Sequence, residues 1–460
     1  MSIIYERYTK AIKNNPNQVF VYDFDNSYTG RYCYEKLKQT ENFLKYKNIK
    51  KVGIQGVNNF DWIILYLAAQ KNCNQTFLIK NSFDTNLTQK IKKKYKLDFI
   101  LKKIPDKKIK KSRKILSKYE SKKDILFTSG TTNFPKGVVI DEHSYIHVAK
   151  FLVQKFRQKN NDLEILSMPF DHSFGLVRLR CCLYTGTKIF VSDGLSKFPE
   201  IYKFTKNNKV TGLSLVPSGI ELIKLMLKNK TQSFTKNLKY FEIGSSFLDR
   251  KTRIWLKNNF KNTTIFHHYG MTEASRSFLI PRGKNDDLKK ESNVIGEKIY
   301  KCYFKLDPIN KNLLKGELLL KGINLMDGYL ETKDNNIKFT NQWFRTGDIC
   351  ELKRGKLRLL GRTDNQINIG GNKIQAESIE NLIEKIHEVE KCLCYELKDH
   401  FFNKRIGLTI DLNKKIKKEI IKKKILKVMQ VFPSYCSPKK ILFKKILLTE
   451  NGKKIRKRVL

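Results

Sequence analysis

Ile125-Leu126-Phe127-Thr128-Ser129-Gly130-Thr131-Thr132-Asn133-Phe134-Pro135-Lys136-Gly137 is the stretch whose reading organises the chain. Three apolar residues enter it, and a second apolar run, Val138-Val139-Ile140, leaves it. The simplest reading is strand, polar loop, strand, with the loop at a strand end. Glycine lets a backbone approach a ligand closely. Thr128, Ser129, Thr131 and Thr132 can donate hydroxyl hydrogen bonds, and Lys136 adds a positive charge. That set of groups suits a triphosphate. It is not the common P-loop, which needs Gly-Lys-Ser/Thr opening a helix, whereas this lysine stands between proline and glycine. The bland alternative is a Ser/Thr-rich surface turn.

On the N-terminal side, the chain alternates. Val19 to Tyr22 reads as a strand, Tyr34 to Tyr46 as a helix, and Val52-Gly53-Ile54 as a strand. Asn59 to Gln70 reads as a helix, capped by Asn58 or Asn59. Such alternation predicts a mostly parallel sheet covered on both faces. The lysine-rich segment from Lys102 to Lys123 is expected to be a solvated connection. On the C-terminal side, Tyr145, Val148, Leu152 and Phe156 repeat at helical spacing. Strands then end repeatedly in small or polar residues. Leu163 to Met168 runs into Pro169-Phe170-Asp171-His172-Ser173-Phe174-Gly175. Val210 to Val216 ends at Pro217-Ser218, Tyr240 to Ile243 at Gly244-Ser245-Ser246, and Ile265 to His268 at Tyr269-Gly270. Loops at the carboxyl ends of parallel strands are where open α/β sheets bind ligands. From about Ile295, glycine-punctuated short strands predict a β-rich subdomain. Residues 362–460 carry a helix from Ser378 to His387 and a basic helical run from Ile416 to Met429, and read as a small α+β domain.

With 460 residues, the chain can hold two or three domains. The net charge is +48, from 92 basic and 44 acidic residues. An excess of that size can mark a nucleic-acid or membrane-surface protein. The lysines are spread along the whole chain among many Asn and Ile, as in a product of an A- and T-biased genome, and no RNA-module signature occurs. Neither nucleic acid nor a transmembrane segment is expected; the longest apolar stretch, near Trp62 to Ala69, is too short to span a bilayer. Nine cysteines without a CxxC pair argue for reduced thiols in a cytoplasmic protein. The first residues have no long apolar run, so no signal peptide is expected.

The opening stretch resembles the phosphate-loop signature of the adenylate-forming enzymes, the family of acyl-CoA synthetases, luciferases and amino-acid adenylation domains. Asn133 stands where that family usually has glycine. Further signatures follow in the family's order. Tyr269-Gly270-Met271-Thr272-Glu273 is the second; the resemblance gives Thr272 to the α-phosphate, and a carboxylate beside phosphates makes Glu273 a Mg²⁺ ligand. In Trp343-Phe344-Arg345-Thr346-Gly347-Asp348 the resemblance gives Asp348 to the ribose hydroxyls. In Gly361-Arg362-Thr363-Asp364 it makes Arg362 a ribose or phosphate contact and Asp364 a hinge. Asn368 replaces a common lysine in the loop beyond. Asn451-Gly452-Lys453 resembles the terminal signature, whose lysine bridges carboxylate and ATP, so Lys453 is the catalytic candidate. Gly244, Ser245 and Ser246 resemble the adenine-side loop, and His268, Tyr269 and Gly270 join the nucleotide-binding candidates.

The segment from Phe170 to Gly175 supports two alignments. In one, His172 is the histidine that acyl-CoA synthetases keep near the carboxylate. In the other, Asp171 is the aspartate that amino-acid adenylation domains pair with the substrate's α-amino group. The resemblance therefore implies an α/β fold with a large N-terminal domain, residues 1–361, of mostly parallel sheets plus a β subdomain. A small mobile α+β C-terminal lid, residues 362–460, completes it. The implied reaction joins a small carboxylic acid to ATP, then to a thiol, either coenzyme A or the phosphopantetheine of a separate acyl or peptidyl carrier protein. The chain ends just after Lys453, so no fused carrier domain is expected. The implied activity is that of an acyl-CoA synthetase, with carrier-protein loading and a non-catalytic nucleotide-binding relative as alternatives.

Overall fold

The computed structural model describes residues 2–106, 122–128, 134–244, 248–289, 293–309, 312–331, 338–369, 372–399, 403–413, 416–432, 436–449 and 454–455. Two compact units divide the chain. The first holds residues 1–292, 296–303 and 321–342; the second holds 293–295, 304–320 and 343–460.

The first unit contains two sheets where the strand–helix alternation predicted one kind of layer. One is nine-stranded, in the order Glu297–Lys298, Ala274–Arg282, Thr264–Met271, Tyr240–Ile243, Gly212–Leu215, Leu163–Leu166, Lys188–Val191, Val19–Tyr22, Ser27–Thr29. Its central strands are parallel, and antiparallel strands close its edges. The other is six-stranded, in the order Gly328–Tyr329, Lys136–Asp141, Lys123–Thr128, Gln75–Ile79, Lys51–Gln55, Phe99–Leu101. Strands such as Tyr240–Ile243 and Gly212–Leu215 are buried at every position. That is expected where both faces of a parallel sheet are covered.

The helix Phe60–Asn72 buries nine consecutive residues, Trp62 to Gln70, and so has no solvent face over that run. Asn59 caps it, its Oδ1 accepting from the Trp62 N–H at 2.8 Å. Asn58, the other capping candidate, is buried and holds a distant segment instead. Its amide donates to the Met168 carbonyl at 2.8 Å and its Oδ1 accepts from the Phe170 N–H at 2.9 Å. The helix Ile3–Asn14, which buries Ile4, Tyr5, Tyr8 and Ile12 on one face, carries no signal that singled it out in the sequence.

In the second unit, Asn312–Gly322, Trp343–Lys353 and Lys356–Arg362 form antiparallel pairs. Beyond them lie a hairpin, a three-stranded sheet Val389–Asp399, Asn403–Leu412 and Pro438–Phe443, and two helices packed on one core. The expected helix from Ser378 to His387 starts earlier and is shorter, Ala376–Ile383, while Lys418–Met429 matches the basic run. The architecture is the expected α/β fold with a small α+β C-terminal part. Among the described residues no helix is long and apolar enough to cross a membrane.

Candidate active site

The elements that carry the signatures are Lys123–Thr128 (β1), Lys136–Asp141 (β2), Ser173–Thr185 (α1), Tyr240–Ile243 (β3), Thr264–Met271 (β4), Ala274–Arg282 (β5) and Gly328–Tyr329 (β6). β1 and β2 are antiparallel, with Thr128 directly opposite Lys136, so the two expected strands are present and pair with each other. β6 pairs on the far side of β2, with Tyr329 opposite Val138. This brings Tyr329 to two signature residues at once. The Lys136 ammonium lies 5.5 Å from the centre of its ring, and its hydroxyl donates to Glu273 Oε1 at 3.0 Å. Lys136, Tyr329 and Glu273 thus form one polar chain. Nothing in the local sequence marked Tyr329, since the register of β6 on β2 creates its role.

The expected strand end at Tyr269-Gly270 lies elsewhere. β4 runs through both residues to Met271, and Thr272 and Glu273 form the turn into β5. Antiparallel pairing with β5 carries the strand past the point where its parallel neighbour β3 stops.

The segment before α1 is held from three directions. Asn58 clamps Met168 and Phe170. Asp171 Oδ2 accepts from the Asn81 N–H at 2.7 Å. Gly175 packs so tightly on Pro169 that a Cβ there would overlap the Pro169 carbonyl oxygen. His172 occupies the capping position of α1, its Nε2 3.8 Å from Asp171 Oδ1.

Behind this segment lies a buried charge network absent from the expectations. Arg276 on β5 donates to Glu242 Oε1 on β3 at 3.0 Å and to the carbonyls of Ser173 and Phe174, both at 3.0 Å. His268 Nδ1 on β4 lies 2.8 Å from the same Glu242 oxygen. Arg178 on α1 makes a two-pronged contact with Glu164 at 2.8 and 2.6 Å, and its Nη1 lies 3.7 Å from Glu242. Burial opposes the charge of Glu242, but Arg276, His268 and Arg178 outweigh it and hold its carboxyl well below the usual range. Burial, joined by the Arg276 charge, pushes the His268 imidazole down against the pull of Glu242, so it is neutral at pH 7. His268 also explains a glycine: a Cβ on Gly244 would overlap its Cε1.

In the second unit, Asp348 stands opposite Arg362 across two paired strands, and Arg362 Nη1 meets Asp348 Oδ1 at 3.0 Å. Gly347, at φ +75°, turns the chain beside the Arg362 guanidinium. Lys454 is drawn in by Glu380 at 2.9 Å and Glu384 at 2.7 Å and donates to the Cys392 carbonyl at 2.7 Å. Burial lowers its ammonium pKa, but the two carboxylates prevail and raise it. Ser129, Gly130, Thr131, Thr132, Ser245, Ser246 and Lys453 lie outside the described residues.

The family model for AMP-binding enzymes matches residues 8–330. The chain belongs to that family. It is an adenylate-forming ligase. Among its sequence relatives, the D-alanine--D-alanyl carrier protein ligase of Listeria monocytogenes serotype 4b is 26% identical over 352 residues, covering 72% of this chain and 68% of the relative. Bacitracin synthase 3 of Bacillus licheniformis is 25% identical over 350 residues, which are 72% of this chain and 5% of that protein. Among solved structures, the o-succinylbenzoate CoA synthetase of Bacillus subtilis in complex with its acyl-adenylate superposes with a TM-score of 0.81 at 18% identity, over 98% of this chain and 97% of that one. ATP-bound MatB of Rhodopseudomonas palustris gives 0.82 at 18%, over 99% and 97%. These two establish that the fold is shared across nearly the whole length.

Proposed function

We propose that this family member activates a small carboxylic acid as its acyl-adenylate, with ATP and Mg²⁺, and passes the acyl group to the phosphopantetheine thiol of a separate carrier protein. The observation that carries the first half is the chain from Lys136 through Tyr329 to Glu273. A cation and a carboxylate brought to opposite parts of one tyrosine suit a phosphate chain with a divalent ion. Among the described residues, no group of three or more His, Cys, Asp or Glu is arranged to hold a metal. A Mg²⁺ ion here would therefore use Glu273 together with phosphate and water oxygens, and would neutralise charge on the phosphates.

In this reading the acid's carboxylate attacks the α-phosphorus of ATP and pyrophosphate leaves. Thr272 contacts the α-phosphate and Lys136 the outer phosphates. Asp348, oriented by Arg362, accepts hydrogen bonds from the ribose hydroxyls. Lys453, delivered by a lid of residues 362–460, touches both reactants and offsets their like-charge repulsion. The carrier protein is favoured over coenzyme A as acceptor by the sequence relatives that are D-alanine--D-alanyl carrier protein ligases. The basic excess of +48 would speed encounter with an acidic partner.

The test is ATP–pyrophosphate exchange with a panel of carboxylic and amino acids, followed by transfer to coenzyme A or to a phosphopantetheinylated carrier protein. Exchange that disappears in Lys136→Ala and Lys453→Ala, with transfer to the carrier only, is expected. Exchange independent of both lysines sinks the adenylation reading, and transfer to coenzyme A alone replaces the acceptor.

A further inference from the structure

The wedge between the first turn of α1 and the end of β3 is full. The Phe174 ring meets the His268 ring edge-on, centroids 4.8 Å apart. On its other side the imidazole is pressed against Gly244. The Arg276 guanidinium lies 5.0 Å from the centre of the Phe174 ring. Phe174 and His268 are each 8% exposed and Arg276 is 1% exposed. Met168 and Val216 complete the apolar side of the same cluster.

A cluster of apolar side chains could shift to admit a longer guest. This one is pinned. Arg276 is tied to Glu242 and to the backbone carbonyls of the very turn that carries Phe174. These bonds fix the backbone of the turn that carries Phe174, and displacing that backbone would strand a buried guanidinium, which is strongly unfavourable. His268 cannot retreat either, because Gly244 stands behind it and its Nδ1 already lies 2.8 Å from Glu242.

We propose that Phe174, His268 and Arg276 form a fixed plug that closes the acid pocket at short length, so that the enzyme activates acids of the size of acetate or alanine and rejects medium- and long-chain fatty acids. The inference rests on the proposed adenylation, with the acid beside the Phe170–Gly175 segment and the adenosine beside Gly244 as the resemblance implies. A pocket too short for a chain rejects each added methylene by overlap, and the discrimination accumulates along the chain.

The experiment is ATP–pyrophosphate exchange by the full chain with acetate, glycine, D-alanine, L-alanine, butyrate, octanoate and palmitate, with hydroxylamine trapping of the activated acid. The best small acid is expected to exceed octanoate in kcat/KM by about a hundredfold or more. In Phe174→Ala, octanoate is expected to gain about tenfold or more relative to the small acid, with the KM for ATP unchanged. Octanoate or palmitate as the best acid of the unaltered chain overturns the plug and leaves adenylation standing. A Phe174→Ala variant that melts as a folded protein and ranks the acids as before also overturns it. If that variant does not fold, His268→Ala and the panel on the unaltered chain decide the same question. No exchange with any acid, by a folded chain that binds ATP, overturns the adenylation reading and the plug with it.

Discussion

Gly244 and Tyr329 illustrate opposite ways in which one residue acquires a role here. Gly244 is required by absence: His268 fills the space a Cβ would take. Gly244→Ala must therefore push the imidazole off Glu242 or move β3, an overpacking that costs about 1–3 kcal/mol. A urea unfolding curve should show that loss, and exchange activity should fall by about tenfold or more. Tyr329 is required by reach. Its hydroxyl donates to a carboxylate, and hydrogen bonds to charged groups contribute about 1.5–3 kcal/mol. Tyr329→Phe should lower kcat/KM for MgATP by about ten- to a hundredfold and cost about 1.5–3 kcal/mol in urea unfolding. Tyr329→Leu should be worse, because Lys136 then also loses the ring beneath its ammonium. Equal activity of Tyr329→Phe and the unaltered chain would show that Glu273 needs no such orientation.

At the scale of elements, α1 matters because its inward face is charged. Arg178 and Arg180 are buried, the first on Glu164 and the second on Asp124, an unusual load for a helix interior. Arg178→Met should destabilise the chain by about 3–5 kcal/mol in urea unfolding, since Glu164 is left buried without its counter-ion. The network also sets the acid limit of stability. His268 is held neutral in the fold, its pKa below the unfolded value, so acid favours the unfolded state once pH drops below about 6.5. Glu242 has a depressed pKa, so its contribution is full above the unfolded carboxyl value and is lost as pH falls through the lower folded one. Urea midpoints should therefore begin to fall below about pH 6.5 and fall further below about pH 4.3. His268→Asn should remove the first step and keep the second. Lys454 acts at the other end of the scale: its raised pKa adds stability that persists through neutral pH and is lost only as pH rises through the folded value.

Across the whole molecule, all nine cysteines are buried thiols outside any disulfide. Burial pushes the thiols of Cys33, Cys73 and Cys181 up to about 12. Since the thiolate is the reactive form, a thiol reagent at neutral pH should label the native chain slowly and modify all nine in urea. Fast labelling of any of them without denaturant would contradict the packing. Local pattern carried much of the architecture from the start. Short apolar-rich runs gave β1, β2, β3 and the start of β4, and of the two capping candidates Asn59 caps the helix Phe60–Asn72. These features depend on neighbours within a few residues, so a single sequence determines them. The meeting of Tyr329 with Glu273 spans 56 residues, and that of Arg276 with Phe174 spans 102. Likewise, Asn58 looked like a helix cap and became a clamp on a segment 110 residues away. Which side chains meet at such separations depends on strand register and on the order of strands in a sheet. Spacing along the chain does not encode either, so only the tertiary structure could decide them.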